Sequence, residues 1–138
     1  MKIKTDFVTN SSSTCFVVMR KGNVTLGDFL KIVGVAANSR FKDIYEELFR
    51  LCINEETPLE EAVRVHRWHK CGESVEEFVK RTFSVETWNR IENTRKAGYK
   101  VYMGDLSSSE TAVECFFCTE AFVIESDKFI LDATNDGW

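Results

Sequence analysis

Residues 66–71 read HRWHKC and residues 115–118 read CFFC. His-x-x-His and Cys-x-x-Cys spacings hold two donors within reach of one ion, and Zn²⁺ accepts imidazole and thiolate in tetrahedral geometry. A zinc site on His66, His69 and Cys71, aided by other cysteines, is therefore one expectation. Two features oppose it. His66 continues the apolar stripe of Leu59, Ala62 and Val63, where a packed histidine is the simpler reading. Cys71 stands roughly 140° around the helix from His66, so the three donors converge only if the helix ends at His69. The CFFC cysteines lie inside a helical pattern, with Cys115 on the stripe of Ala112 and Phe116. A thioredoxin-like pair would instead follow a strand at the mouth of a helix.

The other chemistry-bearing stretch is residues 9–14, TNSSST, set between two apolar runs. A hairpin needs only two to five turn residues. Thr9, Asn10, Ser11, Ser12, Ser13 and Thr14 can serve as local turn partners, bonding nearby backbone in place of glycines. They can also form a concave contact surface for an anion or a peptide carboxylate. As a third possibility, the run is itself a tag that another protein reads or modifies. It lacks the Gly and Lys of a phosphate-binding loop. The leading expectation is a non-enzymatic interaction module that uses this loop against a protein or peptide partner, with no cofactor. The alternative is a small zinc-binding protein.

An enzyme of unknown chemistry stays open as a third reading. His66 or His69 can in principle activate Ser11, Ser12, Ser13 or Cys71, yet the chain shows no nucleophile elbow and no Gly-rich cofactor loop. The acidic pairs Glu46-Glu47, Glu60-Glu61 and Glu76-Glu77 sit on helix surfaces or in first turns, where they favour the dipole. Trp68 and Trp138 are candidate interaction anchors, with ordinary packing as the competing reading.

Composition narrows the classes further. A formal charge of −4 provides no basic field to gather phosphate backbones, so no nucleic-acid partner is expected. No run reaches the length of a membrane span, and the first twenty or so residues lack the apolar core of a signal peptide. The expected setting is cytoplasmic, with no membrane contact and with the five cysteines reduced.

The positioning elements are legible in period and capping. KIKTDFV (2–8) alternates as a half-buried strand and CFVVMR (15–20) reads as a more buried partner, together an N-terminal β-hairpin. Helices follow from Thr25 with Asp28, and from Ser39, with Phe41, Ile44, Tyr45, Leu48 and Cys52 on one stripe. Next comes a helix from Thr57, with Pro58 first, Glu60 closing a capping box and Gly72 as the stop. Two more start at Ser74 and Ser84, and Gly98 ends the last. YKVYMG (99–104) returns to strand, a helix follows from Ser107, and FVIE and KFILDA flank a turn at Ser126-Asp127. The result is a single α+β domain over 1–138, with a mostly antiparallel five-stranded sheet and helices on one face. The stripe of Phe41, Ile44, Leu48 and Cys52 should face Phe7, Val17 and Val101.

One short stretch carries a resemblance. Asp6, Phe7, Val8, Thr9, Asn10, Ser11, Ser12, Ser13 and Phe16 match the opening signature of a group of small uncharacterised bacterial and archaeal proteins. Cys15 stands where those proteins commonly carry Ser. The resemblance implies membership of that group and brings no activity with it.

Overall fold

Strand β1 (Ser13–Arg20) holds the centre of the fold because its run CFVVMR is apolar on both faces. The computed structural model describes residues 13–36, 38–54, 56–107 and 121–134. Chain order continues with α1 (Leu26–Val33), α2 (Lys42–Phe49), a π-helical segment (Arg50–Asn54) and the short β2 (Thr57–Pro58). Helices α3 (Leu59–Val65), α4 (Val75–Thr82) and α5 (Val85–Lys96) follow, then β3 (Lys100–Ser107), β4 (Phe122–Ser126) and β5 (Phe129–Ala133). The strands form one five-stranded sheet in the order β2-β3-β1-β5-β4, antiparallel at every pairing. The α+β class and the antiparallel five-stranded sheet are as expected from the sequence.

The layering differs from the expectation of helices on one face. Phe16 and Val18 of β1 pack with Phe29 of α1, Leu48 of α2, and Leu51 and Cys52. Val17 and Met19 point the other way and pack with Leu59 and Val63 of α3, Phe78 of α4 and Ile91 of α5. Successive side chains alternate across a strand, so these are opposite faces and the sheet is covered on both. The stripe Ile44, Leu48 and Cys52 therefore meets Phe16 and Val18, while Val17 and Val101 lie on the far side. Phe41 is not part of the core, being 60% exposed.

Several caps are formed as the sequence predicts. Thr25 and Asp28 make a reciprocal capping box, as do Ser74 and Glu77. Ser84 Oγ accepts from the Thr87 amide, and the Thr87 hydroxyl donates to buried Asp132 at 3.1 Å. An acid at 87 would set a second carboxylate against Asp132, which explains the threonine there. Gly98 turns the chain out of α5 with φ +93°.

The helix expected between Thr57 and Gly72 stops early. Thr57 and Pro58 pair with Met103 and Tyr102 as a strand, and α3 ends at Val65 because His66 adopts an extended backbone (φ −71°, ψ 138°). Residues 66–74 then form turns fixed from outside. Arg81 donates to the Trp68 carbonyl and to both Glu73 carboxylate oxygens, and Glu73 accepts from the Lys70 amide. The turn of the last hairpin is Asp127-Lys128, one residue later than expected, between β4 and β5.

The expected first strand (2–8), the helix from Ser107 with Cys115 and Cys118, and Trp138 lie outside the described residues. Among the described residues, no helix is long and apolar enough to cross a membrane.

Candidate metal centre

In the β1–β3 register, Cys15 sits directly opposite Asp105. Both side chains belong to the face that α3 covers, since they share the parity of Val17 and Met103. Because α3 breaks at Val65, His66 drops from its C-terminal end onto this pair. The three meet in a tight cluster. His66 Nε2 lies 2.9 Å from Asp105 Oδ1 and 3.4 Å from Cys15 Sγ, and Cys15 Sγ lies 3.1 Å from Asp105 Oδ1.

The cluster runs from core to surface. Cys15 is fully buried, the His66 side chain is 5% exposed, and Asp105 is 43% exposed. Ring contacts hold the imidazole in place, with Trp68 at 5.0 Å and Phe78 at 5.4 Å between centroids. Beside it opens a pocket of about 310 Å³, lined by Thr57, Ala62, Val65, Arg67, Met103 and Gly104 together with His66 and Asp105.

Hydrogen bonding assigns the protons. The Trp68 backbone N–H donates to His66 Nδ1 at 3.1 Å, so Nδ1 keeps its lone pair and the ring proton resides on Nε2. Nε2–H and the Cys15 thiol both donate to Asp105 Oδ1. Burial works against ionisation of Asp105. The bonds from His66 and Cys15 and the charge of Arg67 outweigh it and hold the carboxyl below its ordinary range.

This arrangement is ill suited to nucleophilic catalysis. A histidine that activates a thiol presents the lone pair of one ring nitrogen to sulfur, with the acid on the other nitrogen. Here the acid and the thiol share Nε2, and the sulfur is out of solvent's reach.

It is well suited to a borderline-soft cation. With metal–ligand lengths of about 2.0–2.3 Å, tetrahedral Zn²⁺ sets its ligands about 3.3–3.6 Å apart. The observed 2.9–3.4 Å separations need to widen by only a few tenths of an ångström. A thiolate, an imidazole and a carboxylate together favour Zn²⁺ over the all-oxygen preferences of Mg²⁺ or Ca²⁺. Among the described residues, Cys15, His66 and Asp105 form the group whose donor atoms all lie within 4.8 Å of one another.

Of the donors the sequence suggests, only His66 joins this cluster. His69 Nε2 is 2.8 Å from the Glu73 carbonyl, and Cys71 is exposed. Residues 9–12 lie outside the described residues. Ser13 and Thr14 belong to β1, opposite Ser107 and Leu106, and Thr14 is buried, so neither sits in a contact loop. Cys15 and Asp105 escaped sequence reasoning because 90 residues separate them and neither stands in a spaced motif. Comparison with protein-family models, with curated proteins and with solved structures finds no match to this chain.

Proposed function

We propose that this protein binds one Zn²⁺ ion through Cys15 Sγ, His66 Nε2 and Asp105 Oδ1, with the fourth position open to water or to an exchangeable ligand. The observation that carries the reading is the mutual approach of sulfur, nitrogen and oxygen donors within 3.4 Å at the rim of a pocket. Three protein ligands with one open position is the pattern of exchange-competent zinc sites rather than of closed structural ones.

Binding requires two proton movements. The thiol proton leaves, and the imidazole proton passes from Nε2 to Nδ1, where it meets the Trp68 N–H. Losing that backbone bond costs about 1–3 kcal/mol. Zinc at thiolate-rich structural sites contributes about 10–16 kcal/mol. Even a markedly weaker three-ligand site exceeds the cost, so the turn yields to the metal.

Native mass spectrometry of protein purified without chelator tests the proposal. One Zn²⁺ per chain is expected, lost in Cys15→Ser, His66→Gln and Asp105→Asn, and kept in His69→Ala and Cys71→Ala. A metal-free mass after zinc reconstitution overturns the reading, and retention in Cys15→Ser overturns the ligand set.

A further inference from the structure

The pocket beside the cluster indicates what fills the fourth coordination position. Cys15 closes the buried side, and the pocket is bordered by the other two donors, His66 and Asp105. The vertex opposite the three donors of a tetrahedral ion therefore opens into it. Its wall combines one cation, Arg67, with the apolar side chains of Ala62, Val65 and Met103 and the hydroxyl-bearing Thr57. Arg67 follows the ligand His66 in the chain and lines the same pocket, its guanidinium 5.6 Å from the Trp68 ring that packs on His66. A volume of about 310 Å³ lies at the small end of ligand pockets, room for a molecule of few atoms.

We infer that the pocket takes a short-chain aliphatic monocarboxylate, one carboxylate oxygen on the metal, the other facing Arg67, and the alkyl chain against Ala62, Val65 and Met103. The inference rests on the metal proposal above. A planar carboxylate matches a guanidinium fork in a way a halide cannot, and an ion held by a thiolate and a carboxylate has little net charge left to favour a polyanion. The apolar walls add selectivity by chain length. Two extra methylenes buried there strengthen binding about tenfold.

Cobalt-substituted full-length protein provides the assay, because the visible bands of Co²⁺ report its fourth ligand. Acetate, butyrate and inorganic phosphate are titrated separately. The expected result is a band shift with both carboxylates, butyrate binding about tenfold tighter than acetate and phosphate weaker than either. Arg67→Met should weaken both carboxylates about tenfold while leaving the ligand-free Co²⁺ spectrum unchanged. Melting of the variant, read by circular dichroism, verifies that it is folded. Normal Co²⁺ bands that no carboxylate moves overturn the ligand inference and spare the metal site. Phosphate binding as tightly as butyrate, or no loss in Arg67→Met, also overturns it. Absence of Co²⁺ bands overturns the metal reading and this inference together.

Discussion

Gly104→Ala is the sharpest test of how the site is built, because two opposing effects of different size act on one methyl group. Gly104 pairs with Phe16 across β1 and β3, one step from the Cys15–Asp105 pair. A Cβ at 104 would fall 3.0 Å from Phe16 Cε2, 3.1 Å from Cε1 and closer still to Cζ. The ring is 1% exposed and boxed in by the core of α1 and α2, so it has no outward path. In an unstrained strand, Gly→Ala stabilises by about 0.4–1 kcal/mol through the unfolded state. Overpacking a full core costs about 1–3 kcal/mol. The clash wins, and urea titration should show a net loss of about 1–2 kcal/mol at unchanged m-value. Relief must come from separation of β1 and β3, which also parts Cys15 from Asp105, so zinc affinity should fall in the same variant. Phe16→Leu clears the space, and a double-mutant cycle should return a favourable coupling between the two substitutions. A stabilised Gly104→Ala protein, or an additive cycle, would refute the packing of Phe16 over Gly104.

Three further outcomes follow from the same contacts. Leu48→Ala should cost about 2–5 kcal/mol in denaturant titration, since Leu48 is fully buried against Phe16 and Val18; a loss below about 1 kcal/mol would place that helix outside the core. Arg81 holds the Glu73 carboxyl down at about 2 against an ordinary 4.5, so the pairing stabilises above pH 4.5 and its contribution fades as pH falls towards 2. Arg81→Met should remove that segment of the acid-stability slope and speed amide exchange at Lys70, measured by hydrogen–deuterium exchange. Zinc binding should release one proton per ion, from Cys15, and strengthen about tenfold per pH unit while the thiol is protonated; calorimetry in buffers of different ionisation enthalpy counts the proton, and the Trp68 amide resonance should shift as its acceptor is lost.

The sequence carried the local grammar of this fold well and its long-range geometry poorly. Capping pairs such as Thr25–Asp28 and Ser74–Glu77 lie within one turn, so their residue types alone specify them. The end of α3 is set otherwise. Nothing between Val65 and Gly72 breaks a helix, and the extended His66 is followed by turns anchored by Glu73 and by Arg81 of the next helix. The two-sided cover of the sheet did leave a mark: Cys15, Phe16, Val17, Val18 and Met19 run without alternation, as expected of a strand buried on both faces. That run is the signal that contradicts helices on one face. Of the proposed metal ligands, only His66 stood in a spaced motif, and nothing in the sequence pointed to its partners Cys15 and Asp105. His66 is 51 residues from Cys15 and 39 from Asp105, and only strand register and a helix that ends early bring them together.

That origin has a consequence for how the metal would be held. The thiol proton and both ring nitrogens of the described cluster already have a use: the thiol and Nε2–H both serve Asp105, and Nδ1 serves Trp68. The hydrophobic clusters above and below the sheet are built from other residues and touch this cluster where the His66 ring packs on Phe78. Folding therefore does not wait for zinc, unlike in small domains where metal supplies the core. The ion must displace hydrogen bonds worth about 0.5–1.5 kcal/mol each, and one backbone donor besides. Each such loss is subtracted from the affinity and none from the stability of the metal-free protein. A donor set positioned to within tenths of an ångström, yet internally satisfied before the ion arrives, favours reversible uptake over permanent structural binding. Chelation should accordingly strip the zinc while lowering the unfolding free energy, read by urea titration, only by the linkage due to lost ligand, about 2.7 kcal/mol at a hundredfold excess over Kd.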